Sequence, residues 1–222
     1  MSASPGPRPG TLAGSRPRGD SRDVVGDGLY LFGITRSRSW RAGPPPEGEP
    51  VIKVRYRDLD ALVRPVPYRV PELSDAALAE HQRMVDGSLR KGTILPAPFG
   101  LVFRGRRAVI RLLEDQYIVL DEGLAFLDNH WELRLHVAGT AEDDDSLSQL
   151  ATHLYSELRR FARAAIPLRA REGRLLSAAF LVERGTWIEF IERTDDLEAM
   201  HPELSLDVTG PWPPYDFVRI LT

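Results

Sequence analysis

Trp131-Glu132-Leu133-Arg134-Leu135-His136-Val137 alternates strictly, with apolar residues set against Glu132, Arg134 and His136. A period of two sends successive side chains to opposite faces, so this stretch predicts a half-exposed strand with one apolar face. Downstream, Asp143, Asp144 and Asp145 lead into Ser146 and Gln149, spaced as a capping box. The helix they open would bury Leu147, Leu150, Leu154, Leu158 and Phe161, with Arg159, Arg160 and Arg163 meeting its negative end. Ile166 to Arg169 and Leu175 to Glu183 read as two strands joined by a turn around Glu172 and Gly173. Thr186 and Glu189 form a second capping box, for a helix through Ile191 toward Met200, and Leu204 to Thr209 closes the series as a strand. The order β-α-β-β-α-β predicts a ferredoxin-like sandwich, an antiparallel sheet with helices on one face and the other face left for a partner.

Working backwards, the change of pattern places a domain boundary near Asn129, dividing an N-terminal α+β domain (28–129) from the C-terminal domain (130–222). Residues 1–27 carry Arg8, Arg16, Arg18 and Arg22 among Pro, Gly and Ser, which predicts a disordered tail; a targeting or nucleic-acid arm is the alternative. Leu29 to Ile34 is a short continuous apolar run, expected as a central strand buried on both faces. Ser37 to Pro50 reads as a loop, Val51 to Tyr56 as a second strand, and Leu59 to Val63 as a strand or short helix. Pro65, Pro67 and Pro71 forbid regular structure until Ser74, a plausible N-cap for a helix carrying Leu78, His81, Val85 and Leu89 on one face. A lone histidine on such a stripe is expected in the core with one nitrogen hydrogen-bonded. Thr93 to Phe103, interrupted by Pro96, Pro98 and Gly100, reads as an irregular inner strand, and Val109, Leu113, Tyr117, Leu120, Leu124 and Leu127 as one amphipathic helix. The fold class is therefore α+β, with two small α/β-sandwich domains.

At the C-terminus, Leu204, Leu206 and Val208 alternate into Gly210-Pro211-Trp212-Pro213-Pro214-Tyr215-Asp216-Phe217-Val218. Three prolines remove three donors, so this run is expected to leave the sheet ladder. It would lie over the fold as a stiff clasp that buries Trp212, Tyr215 and Phe217 and pins the last strand to the N-terminal domain. Pro211 and Pro214 also have the PxxP spacing read by aromatic-lined grooves.

The chemistry-bearing patterns are sparse. In 222 residues with net charge -3 there is no general field for nucleic acid or anionic membrane. The absence of cysteine excludes disulfides and thiolate metal sites and is compatible with an intracellular life. No apolar window approaches a membrane span, and the N-terminal residues lack the apolar core of a secretory signal. Gly26 and Gly28 precede a strand instead of opening a helix, so they are not a phosphate loop. His81, His130, His136, His153 and His201 are scattered at unrelated spacings, and the acidic triplet lacks the order of a calcium loop. The expectation is no catalytic residue, no cofactor and no metal site.

Two stretches resemble a known family. The strand running into Thr209-Gly-Pro-Trp-Pro-Pro-Tyr-x-Phe-Val218 is similar to the end of the gas vesicle accessory proteins of the GvpL/GvpF family. The helix bearing His81, followed by Leu95-Pro96-x-x-Phe99-Gly100, is a second similarity; the chain departs from the pattern at Pro98, where the family commonly has arginine. The resemblance implies a cytosolic two-domain α+β protein that assists assembly of a gas-filled shell. It also implies contact with the hydrophobic shell subunit and other gas vesicle accessory proteins, in the cytoplasm and at the vesicle, with no nucleic acid, membrane or small-molecule substrate. A partner would be offered a mixed sheet face, for which Trp131, Leu133 and Leu135 are candidates, as is the loop carrying Trp40. A peptide-binding module using the Pro-rich C-terminus is the alternative function, and an enzyme without a recognisable motif the third.

Overall fold

Gly28–Arg36 forms strand β1, which is buried along almost its whole length, as its uninterrupted apolar run requires. The computed structural model describes residues 27–37, 51–139 and 145–218; the tail through residue 26, Trp40 and its loop, and Asp143 and Asp144 lie outside the described residues. Strand β1 pairs antiparallel with β3 (Leu59–Val66) on one side and with β4 (Ile94–Pro96) and β5 (Val102–Arg104) on the other, and β2 (Ile52–Tyr56) lies outside β3. Leu59 to Val63 is thus strand, not helix.

A register shift between Leu31 and Gly33 makes Phe32 the extra residue of a bulge. The shift sends Leu29, Leu31 and Ile34 to one core and Tyr30 and Phe32 to another. The first core is filled by α2 (Gly105–Asp115) and α3 (Tyr117–Leu127), the second by Val85 and Leu89 of α1 (Asp75–Leu89). Ser74 caps α1 as expected, its Oγ accepting the Ala77 N–H at 3.2 Å.

Two expectations for this half need correction. The single amphipathic helix is two helices, broken at Gln116, where φ is -107° and ψ 13°. Both lay their apolar stripe on one core, so the spacing reads through a break that no Pro or Gly marks. The irregular inner strand is also two pieces, β4 and β5, separated by a loop in which Gly100 has φ 89°.

The second sheet runs β7-β8-β6-β9, from β6 (His130–Gly139), β7 (Ala164–Leu168), β8 (Leu176–Glu183) and β9 (Leu204–Trp212), with every pair antiparallel. Leu133, Leu135 and Val137 meet Phe180 and Val182 beneath α4 (Asp145–Leu158) and α5 (Trp187–Met200). The chain is therefore α+β, built on two antiparallel sheets. Helix α4 begins at Asp145, so Ser146 lies inside its first turn, and Thr186 caps α5 without a side-chain hydrogen bond. Phe161 is not in the core: it follows α4 in a 3-10 turn and is 48% exposed. The two halves share one core, since Leu181 of β8 packs with β1, α2 and α3, joined by Ala164, Phe217 and Val218.

Gly33 is the tightest point of the first sheet. A Cβ there would lie 2.6 Å from the Leu95 carbonyl oxygen and 2.7 Å from Ile94 Cδ1. Gly33→Ala should destabilise the fold by about 1–3 kcal/mol through overpacking, read as a lowered midpoint in chemical denaturation; an unchanged midpoint would contradict this packing.

Candidate functional site

Helix α1 sets His81 over β1, and both ring nitrogens are engaged. Nε2 faces the Ala97 carbonyl at 3.1 Å, which can only accept, so Nε2 carries the proton. Nδ1 then accepts from Tyr30 Oη at 2.6 Å, and the Gly100 N–H donates to the same Tyr30 oxygen at 3.4 Å. The expectation of a single bonded nitrogen is corrected: the second partner comes from the proline-interrupted loop, which has backbone groups to satisfy. Burial lowers the His81 pKa, only partly offset by the Ala97 bond, so the ring is neutral. The rings of Phe32, Phe99 and Tyr215 surround it at 5.7, 5.9 and 6.4 Å. Pro96 is buried at the end of β4, opposite Gly33, while Pro98 is exposed.

On the outer side of this cluster a cavity of about 390 Å³ opens between Tyr30, Val66, Arg69 and Val70. A neighbouring one of about 170 Å³ reaches Phe32, His81 and Phe99. The two share Tyr30, Val66 and Pro71 and form one groove beside the irregular stretch containing Pro67 and Pro71; Pro65, expected to end regular structure, lies instead within β3, opposite Leu29. The Arg64–Glu80 ion pair, 2.7 Å long, lies in the smaller lobe.

The C-terminal run behaves differently from the sequence reading. It does not leave the ladder at Gly210; β9 continues to Trp212 through a bulge, with Thr209 opposite Arg134 and Trp212 opposite Glu132. The bulge gives Pro211 a place where a strand does not need its missing donor. Gly210 sits at φ 129°, and a Cβ on it would come within 2.9 Å of the Glu132 carbonyl oxygen. Trp212 is not buried. It is 41% exposed, its Nε1 donating to Thr209 Oγ1 at 3.2 Å. Pro213 and Pro214 are buried instead and Pro211 is exposed, so only one member of the PxxP pair faces solvent. Beyond them, Tyr215 packs into the cluster containing Tyr30, Phe32 and Val85, and Phe217 and Val218 pack on the α2–α3 core.

This segment is also tied down by charge. Glu132 is fully buried; its Oε1 accepts from Arg134 Nε at 2.8 Å and its Oε2 from the Asp216 N–H at 3.0 Å. Arg134 also pairs with Asp216 at 2.9 Å. Burial, the neighbouring Asp216 carboxylate and a shared hydrogen bond with it push Glu132 up to about 8, against the pull of Arg134. The sequence placed Glu132 and Arg134 on an exposed face; their partner lies 84 residues away from Glu132 and left no local signal.

The proposed partner strand is corrected by the same geometry. Leu133 and Leu135 are 0% exposed beneath α4 and α5 and cannot meet a partner. Trp131 is half-buried against the Trp187 ring at 5.8 Å and under Arg184 at 5.4 Å. Among the described residues no His, Cys, Asp or Glu group could hold a metal ion, and no helix is long and apolar enough to cross a membrane.

Two antiparallel sheets in an α+β chain are also the architecture of solved gas vesicle proteins. The crystal structure of GvpF from Microcystis aeruginosa superposes with a TM-score of 0.70 at 19% identity, over 87% of this chain and 99% of that one. GvpF from an Anabaena species gives 0.72 at 19% identity, over 86% and 96%. The chain belongs to the family described as gas vesicle synthesis protein GvpL/GvpF, whose model matches residues 28–148 and 141–219. It is 26% identical to gas vesicle protein F1 of Halobacterium salinarum, over 87% of this chain and 94% of that protein. It is 27% identical to gas vesicle protein L of a Streptomyces species, over 86% and 92%. Family membership gives the chain an accessory role in gas vesicles.

The packing separates two aromatic substitutions. Trp212→Ala should cost less than about 1 kcal/mol, while Tyr215→Ala should cost about 2–3 kcal/mol, since only the latter empties a packed site; equal melting temperatures for the two variants would refute the difference. Glu132 adds a pH signature. Between the ordinary carboxylate value and about 8, the folded chain holds a proton that the unfolded chain releases, so stability falls as pH rises through that window. Its contribution to the slope is at most about 1.4 kcal/mol per pH unit, and Glu132→Gln should flatten the curve of denaturation free energy against pH between 5 and 8. An unaltered slope would mean that Glu132 ionises normally.

Proposed function

We propose that this chain is a non-catalytic assembly factor that binds the hydrophobic shell subunit of the gas vesicle and supports its nucleation. The observation that carries the reading is the family match, which runs across both halves of the chain, 28–148 and 141–219. A shell subunit exposes apolar surface before it polymerises, and such surface aggregates unless covered. The work takes place in the cytoplasm and at the growing vesicle, alongside other accessory proteins. The buried titratable groups support a scaffold role, because each serves the fold. His81 bonds Tyr30 and Ala97, Glu132 bonds Arg134 and Asp216, and Asp60 bonds Arg55 at 2.7 Å.

In this reading residues 28–129 and 130–222 are the two working domains, preceded by a tail over 1–27. The strand order second-third-first-fourth in the C-terminal sheet supports a ferredoxin-like sandwich. Pro213 to Val218 act as the clasp, with Tyr215 and Phe217 as its anchors, and keep the relative position of the domains fixed.

Co-expression with an affinity-tagged shell subunit tests the proposal. The chain should co-purify with the subunit, and its deletion should abolish or strongly reduce cell buoyancy. Normal buoyancy in the deletion strain, or no co-purification, would overturn it.

A further inference from the structure

We infer that the groove between α1, the end of β3 and the proline-interrupted stretch after it is the docking site for a short amphipathic segment of the shell subunit. The inference rests on the assembly-factor reading and specifies where and how the subunit is held. Its first support is the lip. Tyr68, Val70 and Leu73 are 47%, 79% and 72% exposed; Val70 lines the larger lobe, and Tyr68 and Leu73 adjoin its lining residues Pro67, Arg69 and Glu72 in the chain. Isolated exposed apolar residues are ordinary, but three together on the rim of an apolar cavity form a patch that favours a partner.

The second support is the wall. Tyr30 and His81 direct their polar atoms at each other and at Ala97, so their hydrogen-bonding capacity is used inside the fold. With Phe32 and Phe99 alongside, the groove is lined by aromatic carbon that demands no polar partner. The lip is already ordered: prolines fix its backbone, the Tyr68 N–H donates to Asp27 Oδ1 at 3.0 Å, and Arg104 lies over the Tyr68 ring at 5.0 Å. Little conformational freedom is left for an occupant to remove.

Charge selects the kind of occupant. The groove carries Arg64 and Arg69 together with Glu80 and Glu72, balanced in sign and distributed around the apolar floor. A strongly acidic or basic partner gains nothing there, whereas a segment with an apolar stripe flanked by both signs matches it. The Arg64 guanidinium lies 5.1 Å from the Phe32 ring centre, which holds this charge at the edge of the aromatic wall. Lobes of about 390 and 170 Å³ suit a few aliphatic side chains, not a whole sheet face.

The test compares the full-length chain with Val70→Asp/Leu73→Asp and, as a milder change, Val70→Ser/Leu73→Ser, each co-expressed with a tagged shell subunit. Ile188→Asp, at an exposed apolar position on α5, is the control. The Asp pair should cut the captured amount at least tenfold and the Ser pair several-fold, with melting temperatures unchanged and the control capturing like the parent. Undiminished capture by the Asp pair, with the parent chain binding, would overturn the groove but leave the assembly-factor reading standing. Failure of the parent chain to capture the subunit would remove that reading and the groove with it. A parent chain that dimerises alone and becomes monomeric in the Asp pair would assign the groove to a second copy, against this inference.

Discussion

One neutral imidazole holds the N-terminal half in register. His81 joins helix α1 to strand β1 through Tyr30 and to the loop after β4 through Ala97, and Gly100 closes the ring of bonds through the Tyr30 hydroxyl. A buried polar ring is tolerated only when its donors and acceptors are satisfied, and here each nitrogen has one partner of the right kind. The consequence is directional. The loop after β4, with Pro98 and Gly100, lies outside the ladder, so these contacts fix where Phe99 points. Phe99 then helps to wall the groove and to pack the ring on which Tyr215 rests.

The C-terminal half depends on the same cluster from the other side. Tyr215 enters it, Phe217 enters the neighbouring core, and Asp216 between them binds Glu132 and Arg134. Alternate residues of one short turn thus face apolar cores and a buried ionisable network. Burying Glu132 contributes little net stability, because losing water costs about as much as the pairing returns. What it supplies is specificity of position: only one placement of the segment gives the carboxyl both the Arg134 guanidinium and the Asp216 N–H. Apolar packing supplies the strength of this seam, and the carboxyl its alignment.

The sequence disclosed elements better than it disclosed faces. Period-two and helical spacings located the strands and helices of the C-terminal half because burial there follows local alternation. Spacing says which residues share a face, but not which face another part of the chain covers. Leu133 and Leu135 were therefore legible as an apolar face, yet it took the helices packed above them to show that the face is core. Glu132 and Arg134, on the polar face, were covered by residues far along the chain. Trp212 misled for a related reason. An aromatic between prolines reads as an anchor, but the bulge at Gly210 and Pro211 carries the strand three residues further, to Trp212, and leaves the anchoring to Tyr215 and Phe217. Of the groove, only its ingredients could be read: the His81 helix, the Phe99-Gly100 pair and the proline run from Pro65 to Pro71. Their convergence depends on the bulge at Phe32, which no local pattern announces.

A groove of this size also suits the task in energetic terms. Each aliphatic side chain it covers is worth about 1.5–3 kcal/mol, while association costs on the order of 4–15 kcal/mol in lost freedom. Two or three such side chains return about 3–9 kcal/mol, the same order as that cost, so such an occupant is held weakly even by a lip that prolines have already ordered. A protein that escorts a polymerising subunit must release it when the growing shell offers a larger apolar surface. A deep, enclosed pocket would trap the subunit, and an open sheet edge would template its aggregation. In the role proposed above, a shallow aromatic groove with a balanced rim lies between these extremes: it would cover enough apolar surface to delay aggregation and too little to compete with the shell.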